Sequence, residues 1–349
     1  MFYSLPTEIQ LDIFKCLNYK KLCSIKQTNL YFRDFINYFE GKLAREDLFG
    51  IFLDDIEEFN ENFPHKLFKH EVGNFDFPLN DQLEEKWKNG LEKPIPLYLA
   101  EHDLNKNIII CLCKVYPIQY HLRYQLPTII KNKNDIEIVY YYLNKLFNCS
   151  FQRGYFREFI FNPELIQVLF GPKQFYIQNC LLAITDNNIE NLFQFALNHL
   201  ISKTLRFNFI MDYGKTTEKC RDTLFKILTS KGDNFKNVNV QLFDSPKMLN
   251  FVVNVKMLYE HIVEYIATSK DCSKLVAVIT VRFTYPTIFE LSKRAEKVEI
   301  KQYSVFNNER KDTKYQIANI HNPEVRFSFL TEESEGIGTS QVELKIMKG

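Results

Sequence analysis

Cysteine and histidine side chains are the groups in this sequence best suited to act as nucleophiles, bases or metal ligands. The 8 cysteines are spread along the chain without the CxxC pairs that are typical of zinc and redox sites. Cys111 and Cys113 lie inside an apolar run, which predicts reduced and buried thiols. His65 and His70 stand beside basic residues, as exposed histidines do. We therefore predict no catalytic residue and no metal ligand.

Two glycine-containing segments could in principle hold a nucleotide. The segment 213–216 ends like a phosphate-binding loop, but that loop needs an earlier glycine at a position where this chain has Phe209. Gly336 and Gly338 lack the third glycine of a dinucleotide site and precede a predicted strand rather than a helix. Neither segment supports a cofactor, and the sequence does not favour an enzyme.

Composition narrows the classes of partner. The formal net charge is +1, from 44 basic and 43 acidic residues, so no basic footprint for nucleic acid is present at the level of the whole chain. We find no signal peptide and no apolar stretch of the length that a membrane span needs. These features predict a cytoplasmic or nuclear protein that binds neither nucleic acid nor a membrane.

The elements that could position a binding site begin at the N-terminus. Pro6 suits the first turn of a helix, and a helix is predicted over residues 6–17. At about 100° per residue, its apolar side chains span an arc of about 220°, roughly twice what one core requires. This excess predicts that the helix is buried against two surfaces, of which one could be a separate protein.

Two more short helices are predicted directly after the first. Leu22 and Ile25 share one face of the second helix, and Asn29 can cap the third, which continues through Phe32. Three helices within about 45 residues bury little apolar surface on their own. They are expected to need a partner, either the remainder of this chain or another protein.

The pattern of this segment resembles the F-box family. Leu-Pro-x-Glu opens the first helix, a short helix with Leu22 and Ile25 follows, and Phe32 stands where an F-box commonly has Trp. The resemblance implies that residues 1–47 bind the Skp adaptor, which links them to a cullin scaffold, while the rest of the chain holds a substrate protein. The residues that it implies for binding the Skp adaptor are Leu5, Pro6, Ile9, Ile13, Leu17, Leu22 and Ile25.

The remainder of the chain is predicted to be α/β. We assign residues 48–134 to a connecting α/β region and residues 135–349 to a repeat-like substrate-binding region. Strands predicted near 173, 204, 238, 276 and 298 alternate with helices, which favours parallel pairing. The irregular spacing favours a leucine-rich-repeat-like α/β solenoid, with a compact doubly wound sheet as the alternative. After residue 304 the pattern is all β and predicts an antiparallel cap.

Several later segments are similar to a family of nematode F-box proteins. This second resemblance would extend the same adaptor role, with an unassigned substrate, over nearly the whole chain. It depends on the segments 84–87, 92–97, 136–142, 161–165, 268–274 and 317–323.

Three functions remain open at this point. The first is a substrate adaptor of a Skp–cullin–F-box ubiquitin ligase, with the substrate bound near the predicted strands 204–209, 238–242 and 276–283. The second is a protein-interaction scaffold without a link to ubiquitin, in which the N-terminal helices pack on the chain itself. The third, an enzyme with a site built from scattered residues, has no motif in its favour.

Overall fold

The structure is a computed structural model that describes residues 2–56, 65–69, 85, 94–100, 107–114, 121–185, 189–209, 218–242, 249–283, 291–305, 308–336 and 339–349. Its helices are α1 (Thr7–Lys15), α2 (Tyr19–Lys26), α3 (Leu30–Tyr38), α4 (Lys133–Phe147), α5 (Pro163–Phe170), α6 (Ile189–His199), α7 (Glu218–Ser230) and α8 (Leu249–Thr268). Its strands are β1 (Glu46–Asp55), β2 (His65–Lys69), β3 (Ile95–Pro96), β4 (Tyr98–Ala100), β5 (Ile108–Cys113), β6 (His121–Gln125), β7 (Ile129–Ile130), β8 (Cys149–Phe156), β9 (Phe159–Phe161), β10 (Phe175–Ile184), β11 (Leu200–Phe209), β12 (Phe235–Leu242), β13 (Val278–Phe283), β14 (Glu296–Val305), β15 (Asn308–Ala318), β16 (Arg326–Gly336) and β17 (Thr339–Lys348).

One mixed sheet of 13 strands organises the chain after the N-terminal helices, in the order β14-β15-β16-β17-β13-β12-β11-β10-β8-β1-β5-β6-β2. From β1 through β8, β10, β11 and β12 to β13, each neighbouring pair is parallel and the strands follow chain order. The predicted mixed α/β class with N-terminal helices is confirmed. The sheet is open, and two short antiparallel pairs, β3 with β7 and β4 with β9, lie outside it.

Helices cover one face of this parallel run. Successive helices α5, α6, α7 and α8 pack side by side, and their apolar side chains share one core with the strands. Interior strands nevertheless carry exposed residues, such as Gln178 and Asn179 in β10. An exposed side chain on an interior strand must point away from the helices, so the opposite face of β8, β10, β11 and β12 is open to solvent.

The alternation of buried and exposed residues is interrupted at the same height in the neighbouring strands β8 and β10. Two consecutive exposed residues interrupt the alternation in β10, at Gln178 and Asn179, and in β8, at Gln152 and Arg153. The register places Asn179 between Arg153 and Thr204 of β11. Because the interruption occurs at the same height in both strands, the apolar side chains before and after it still point towards the helix layer.

The C-terminal strands form the expected antiparallel cap. β17 joins the parallel run by pairing antiparallel with β13, and β16, β15 and β14 follow outward. The strand predicted near residue 298 as a member of the parallel series is therefore placed wrongly, since β14 is the outermost cap strand. A parallel crossover needs a dozen or more residues, usually with a helix. No helix is found in residues 291–295, the described part of that connection.

The outer edge strand β14 is exposed on both faces over residues 296–304. Its pairing with β15 is irregular between Glu296 and Glu299, where Lys297 has a positive φ of 53°. Val298 and Ile300 are exposed apolar residues on this strand.

The sheet and its core continue across residue 134, between the two regions that we assigned from sequence. β1 pairs with β8 on one side and with β5 on the other, so both regions contribute to one hydrophobic core. β5 is buried at every position, as a central strand is when both of its faces are covered. In the described ranges, no helix has both the length and the apolar character needed to cross a bilayer.

Buried asparagines join segments that are distant in sequence. Asn162 donates from Nδ2 to the carbonyl oxygen of Pro96 at 2.9 Å and caps α5 by accepting from the backbone N–H of Glu164. Asn319 donates to the carbonyl oxygens of Ile266 and Ser269 at 2.7 and 2.8 Å. Four of the six segments behind the nematode resemblance thus meet in pairs, 92–97 with 161–165 and 268–274 with 317–323, through structural hydrogen bonds.

Replacing Asn319 with Ala should lower the free energy of unfolding by about 2–4 kcal/mol. The change removes the amide donor to two carbonyl oxygens and the acceptor of two backbone N–H groups, those of His321 and Asn322. Urea denaturation followed by circular dichroism measures the loss. The control is Asn198→Ala on the exposed face of α6, expected within about 0.5 kcal/mol of the parent protein. Equal stability of both variants would contradict this role for Asn319.

Candidate functional site

The three N-terminal helices are defined by local capping. Asn18 accepts a hydrogen bond from the backbone N–H of Lys21, and Asn29 accepts one from that of Phe32, which confirms the predicted cap of the third helix. Pro6, the predicted first residue of the helix, is the N-cap residue of α1, so the helix begins one residue later, at Thr7. Each helix has only 8 or 9 residues, so packing between them must supply most of their stability.

That packing is a small aromatic core, separate from the core of the sheet. The buried members are Leu11, Phe14, Leu22, Ile36 and Leu43. Phe32 packs edge-on against Phe14 with 5.8 Å between ring centroids, so it fills the position where the resembling family has Trp. The N-terminal helices therefore have a hydrophobic interior of their own and do not depend on α1 being covered by the sheet.

Helix α1 presents a second apolar surface on its outer side. Pro6, Ile9, Ile13 and Cys16 recur at helical spacing and are all exposed, and we call them the outer stripe. Ile9 is 47% exposed and Ile13 is 42% exposed. Covering the rest of either isoleucine would contribute roughly 1 kcal/mol. α1 thus carries more apolar surface than its own small core encloses.

The residues implied by the F-box resemblance divide into three groups. Pro6, Ile9 and Ile13 lie on the outer stripe. Leu17 and Ile25 are half-buried against the small core, and Leu5 is half-buried at the start of α1. Leu22 is only 3% exposed, so we correct its expected place on the binding surface: in this chain its side chain belongs to the core.

Gln10, which interrupts the predicted apolar arc, is buried between the two surfaces of α1. Its Nε2 donates to the carbonyl oxygen of Leu5 at 2.8 Å, and its Oε1 accepts from the hydroxyl of Tyr31. These bonds satisfy both ends of the amide and fix the start of α1 against α3. The polar residue therefore holds the helix in place and leaves the outer stripe free.

Several exposed apolar residues of the N-terminal helices lie outside the set that the F-box resemblance implies. Cys16 belongs to the predicted apolar arc of the first helix, and its exposure places it on the outer stripe. Leu30, 64% exposed, and Tyr31 begin α3, and Tyr38 ends it. The exposure of the two tyrosines could not be inferred from their types, because they share one continuous aromatic arc of α3 with the half-buried Phe32 and Phe35.

Arg45 connects the N-terminal helices to the sheet. Its guanidinium group lies 3.6 Å from the centroid of the Tyr176 ring and donates to the carbonyl oxygen of Phe147 at the end of α4. Burial lowers the pKa of Arg45, with Tyr176 acting in the opposite direction. The contact fixes the start of β1 beside β8 and β10.

A cavity of about 720 Å³ lies between the N-terminal helices and the sheet. Tyr19, Lys26 and Glu40 line it from the helices, and Tyr124 and Tyr142, whose ring centroids are 5.2 Å apart, line it from the other side. Burial raises the pKa of both Tyr124 and Tyr142. Its charged lining residues include both lysines and glutamates, so the cavity shows no preference for one sign of ligand charge.

Buried thiols in this chain are poor nucleophiles. Burial raises the pKa of Cys113 to about 11, and that of Cys111, Cys149 and Cys220 to about 12. A thiol must lose its proton before it attacks, so these groups are inert at neutral pH. Within the residues that the structure describes, no group of three His, Cys, Asp or Glu side chains is placed to hold a metal ion. His70, and the side chain of His65, lie outside the described part.

Comparison with known proteins gives one match. Residues 68–210 match the sequence model of a family described as a domain of unknown function, DUF8381. The matched segment lies after the N-terminal helices and ends just past β11, so it covers less than half of the chain. No curated protein and no solved structure matches this chain.

Leu22→Ala should destabilise the N-terminal helices by about 2–4 kcal/mol, because it leaves a cavity in their small core. Leu30→Ala is the matched control, since it removes the same atoms from an exposed position and should change stability by less than about 0.5 kcal/mol. Hydrogen exchange of the backbone amides in α1, α2 and α3 reports the opening of this region directly. Similar exchange rates in the two variants would show that Leu22 is not a core residue.

Thiol labelling should separate Cys16 from the buried cysteines. Treated with a maleimide at neutral pH, the native protein should react first at Cys16, which is exposed, while the buried thiols react only after unfolding. Mass spectrometry of digested protein identifies the labelled positions. Cys16→Ser provides the control and should remove the fast phase. Fast labelling of Cys111 or Cys180 in the native protein would contradict the described burial.

Proposed function

We propose that this chain is a substrate-recruiting adaptor of a ubiquitin ligase, which binds the Skp adaptor through its N-terminal helices and a substrate protein through its α/β region. The Skp adaptor would link the chain to the cullin scaffold. In this proposal the protein acts by holding the substrate near the ubiquitin carrier, which raises its effective concentration there. It would do so in the cytoplasm or nucleus.

The outer stripe carries this proposal. Ile9 and Ile13 remain about half exposed although α1 already has a complete inner core, so their exposure does not come from a shortage of partners inside the chain. Apolar side chains at successive turns of one helix are suited to a groove on another protein. Together with the Leu5-Pro6 start that resembles an F-box, they favour the Skp adaptor as occupant.

The leucine-rich-repeat-like description of the α/β region is part of the proposal. It is supported by parallel strands that follow chain order, by helices on one face, and by the burial shift at one level across β8 and β10. A doubly wound sheet would instead reverse its strand order at a switch point, with helices on both faces. The leucine-rich consensus is not cleanly present in the sequence, so the term describes the stacking and not a repeat family.

No catalytic step is assigned to this chain. Transfer of ubiquitin through a thioester would need a cysteine that is activated, for example by a lowered pKa. Burial instead raises the pKa of the buried thiols. The ligase chemistry would belong to the partner complex.

A scaffold without a link to ubiquitin is the second candidate function. It is favoured by the independent core of the N-terminal helices and by the Arg45 contact, which would let these helices fold without any partner. The two functions differ in whether the outer stripe binds the Skp adaptor.

The double variant Ile9→Asp/Ile13→Asp should weaken binding of purified Skp adaptor by at least about tenfold. The change places two charges where the proposed interface is apolar, and desolvating them is costly. Isothermal titration calorimetry measures the affinity. Leu5→Ala/Pro6→Ala tests the start of the same helix and should also weaken binding.

The matched control is Val298→Asp/Ile300→Asp, which introduces the same charges at residues that are 45% and 56% exposed on the distant strand β14. It should bind the Skp adaptor as the parent protein does. If the parent protein does not bind the Skp adaptor, or if the Ile9 and Ile13 variant binds it undiminished, the adaptor function is wrong and the scaffold function remains.

A further inference from the structure

The open face of the parallel strands carries unbalanced positive charge. β8, β10, β11 and β12 contain no Asp or Glu, although the chain as a whole has 44 basic and 43 acidic residues. Arg153, Lys203, Arg206 and Lys236 are exposed on these strands. Because the helices cover the other face, these cations lie together on the uncovered side.

Two of the lysines are direct neighbours. Ser202 pairs with Phe235, and Thr204 pairs with Asn237, so the register sets Lys203 of β11 beside Lys236 of β12. Neighbouring strands lie about 4.8 Å apart, and like charges side by side in a sheet are destabilising. This arrangement costs the folded protein stability unless another group offsets it.

Arg206 extends the charged area along β11, where its neighbours in register are Leu181 and Asn239. Lys203, Arg206 and Lys236 make no ion pair or side-chain hydrogen bond within the described part of the chain. Arg153 differs from these three, because it already lies 5.3 Å from the ring centroid of Phe49.

The acidic residues that border this face do not neutralise it. Asp47 of β1 is in register with Ser150 of β8, three strand positions from β11, which is roughly 14 Å at the usual strand spacing. Salt at physiological concentration screens charges over about 8 Å. On the other side, Glu343 of β17 is already bound to Arg282 of β13 at 2.6 Å.

The remaining exposed side chains suit a peptide better than a nucleic acid. Amides surround the cations, among them the exposed Gln178 and Asn179 and the half-buried Asn239, and amides can both donate to and accept from a peptide backbone. Single-stranded nucleic acid is usually held by aromatic rings that stack on bases. Tyr155 is exposed, but the ring of Tyr176 on the neighbouring strand is covered by the guanidinium group of Arg45, so the two tyrosines do not form a continuous stacking surface.

We propose that the open face of β8, β10, β11 and β12 binds an acidic segment of a partner protein, with Lys203, Arg206 and Lys236 paired to its carboxylates. The charge complementarity of the face selects this class of occupant. The inference names the substrate class of the proposed adaptor, and it depends on that proposed function for the identity of the bound segment as a substrate.

The experiment measures binding of a fluorescently labelled peptide of alternating Glu and Ser by anisotropy, with a peptide of alternating Gln and Ser as the uncharged probe. The full-length protein should bind the acidic peptide, with an affinity that falls as salt rises, and should bind the Gln peptide at least about tenfold more weakly. Lys203→Glu/Lys236→Glu should lower the affinity for the acidic peptide by at least about tenfold. Arg206→Glu alone should lower it by a smaller factor.

Lys226→Glu/Lys270→Glu is the matched control, with the same change of charge at exposed lysines of α7 and of the residues after α8. It should bind the acidic peptide within about twofold of the parent protein. Lys203→Gln/Lys236→Gln removes the charges without reversing them and should also weaken binding, and thermal melting checks that each variant folds.

Three results would overturn the inference. The first is that the acidic peptide does not bind. The second is that the control variant loses as much affinity as the Lys203 and Lys236 variant. The third is that a single-stranded RNA of equal length binds more tightly than the acidic peptide. Binding of the Skp adaptor is measured on the same Lys203 and Lys236 variant and should be unchanged. The substrate class can therefore fail while the adaptor function stands, and the adaptor function can fail while the acidic peptide still binds.

Discussion

The handedness of the connections between parallel strands determines most of what this molecule presents to its surroundings. A crossover between neighbouring parallel strands is right-handed in nearly all proteins. Here β8, β10, β11, β12 and β13 are added in one direction in chain order, so right-handed connections bring every helix to the same face. The other face is left without a covering layer, although parallel sheets are usually buried on both faces. The exposure of the polar residues on that face is therefore a consequence of the strand order.

A second constraint applies to α1, because this helix must supply buried side chains to the small core of the N-terminal helices and also present exposed apolar side chains. Leu11 and Phe14 face inward, and Ile9 and Ile13 face outward. Gln10 separates the two surfaces, with both ends of its amide hydrogen-bonded. A helix of 9 residues can carry both surfaces because Phe32 and Phe35 of α3 supply much of the volume of the inner core.

Local signals in the sequence predicted the elements that they control. The start of the third helix was identified from its cap, because Asn29 and the backbone N–H group of Phe32 that it binds are only three residues apart. β1 was missed, although its run from Leu48 to Leu53 is continuously apolar and is typical of a central strand. Its neighbours β5 and β8 are distant in sequence, so its place could not be read locally.

The direction of the Leu22 side chain and the position in the sheet of the strand near residue 298 could not be predicted from the sequence. An apolar residue three positions from Ile25 could face inward or outward, and only the packing of Leu22 against Phe14 and Ile36 decides between them. The outward position of β14 depends on β17 returning to pair with β13. The outer stripe was within reach of the sequence because it depends on helical geometry alone, whereas the charged face required the register of β11 and β12.

The edge of the sheet at β14 carries features that oppose the addition of a strand from another molecule. A long exposed edge with unpaired backbone groups can recruit the edge of another molecule. β14 carries Glu296, Lys297, Glu299 and Lys301 along its length, and its ladder is interrupted where Lys297 takes a positive φ. Charged side chains and a bulge are the means by which natural sheets discourage such growth. Among the described strands β14 pairs with β15 alone, and these features make its outer side a poor template for a further strand.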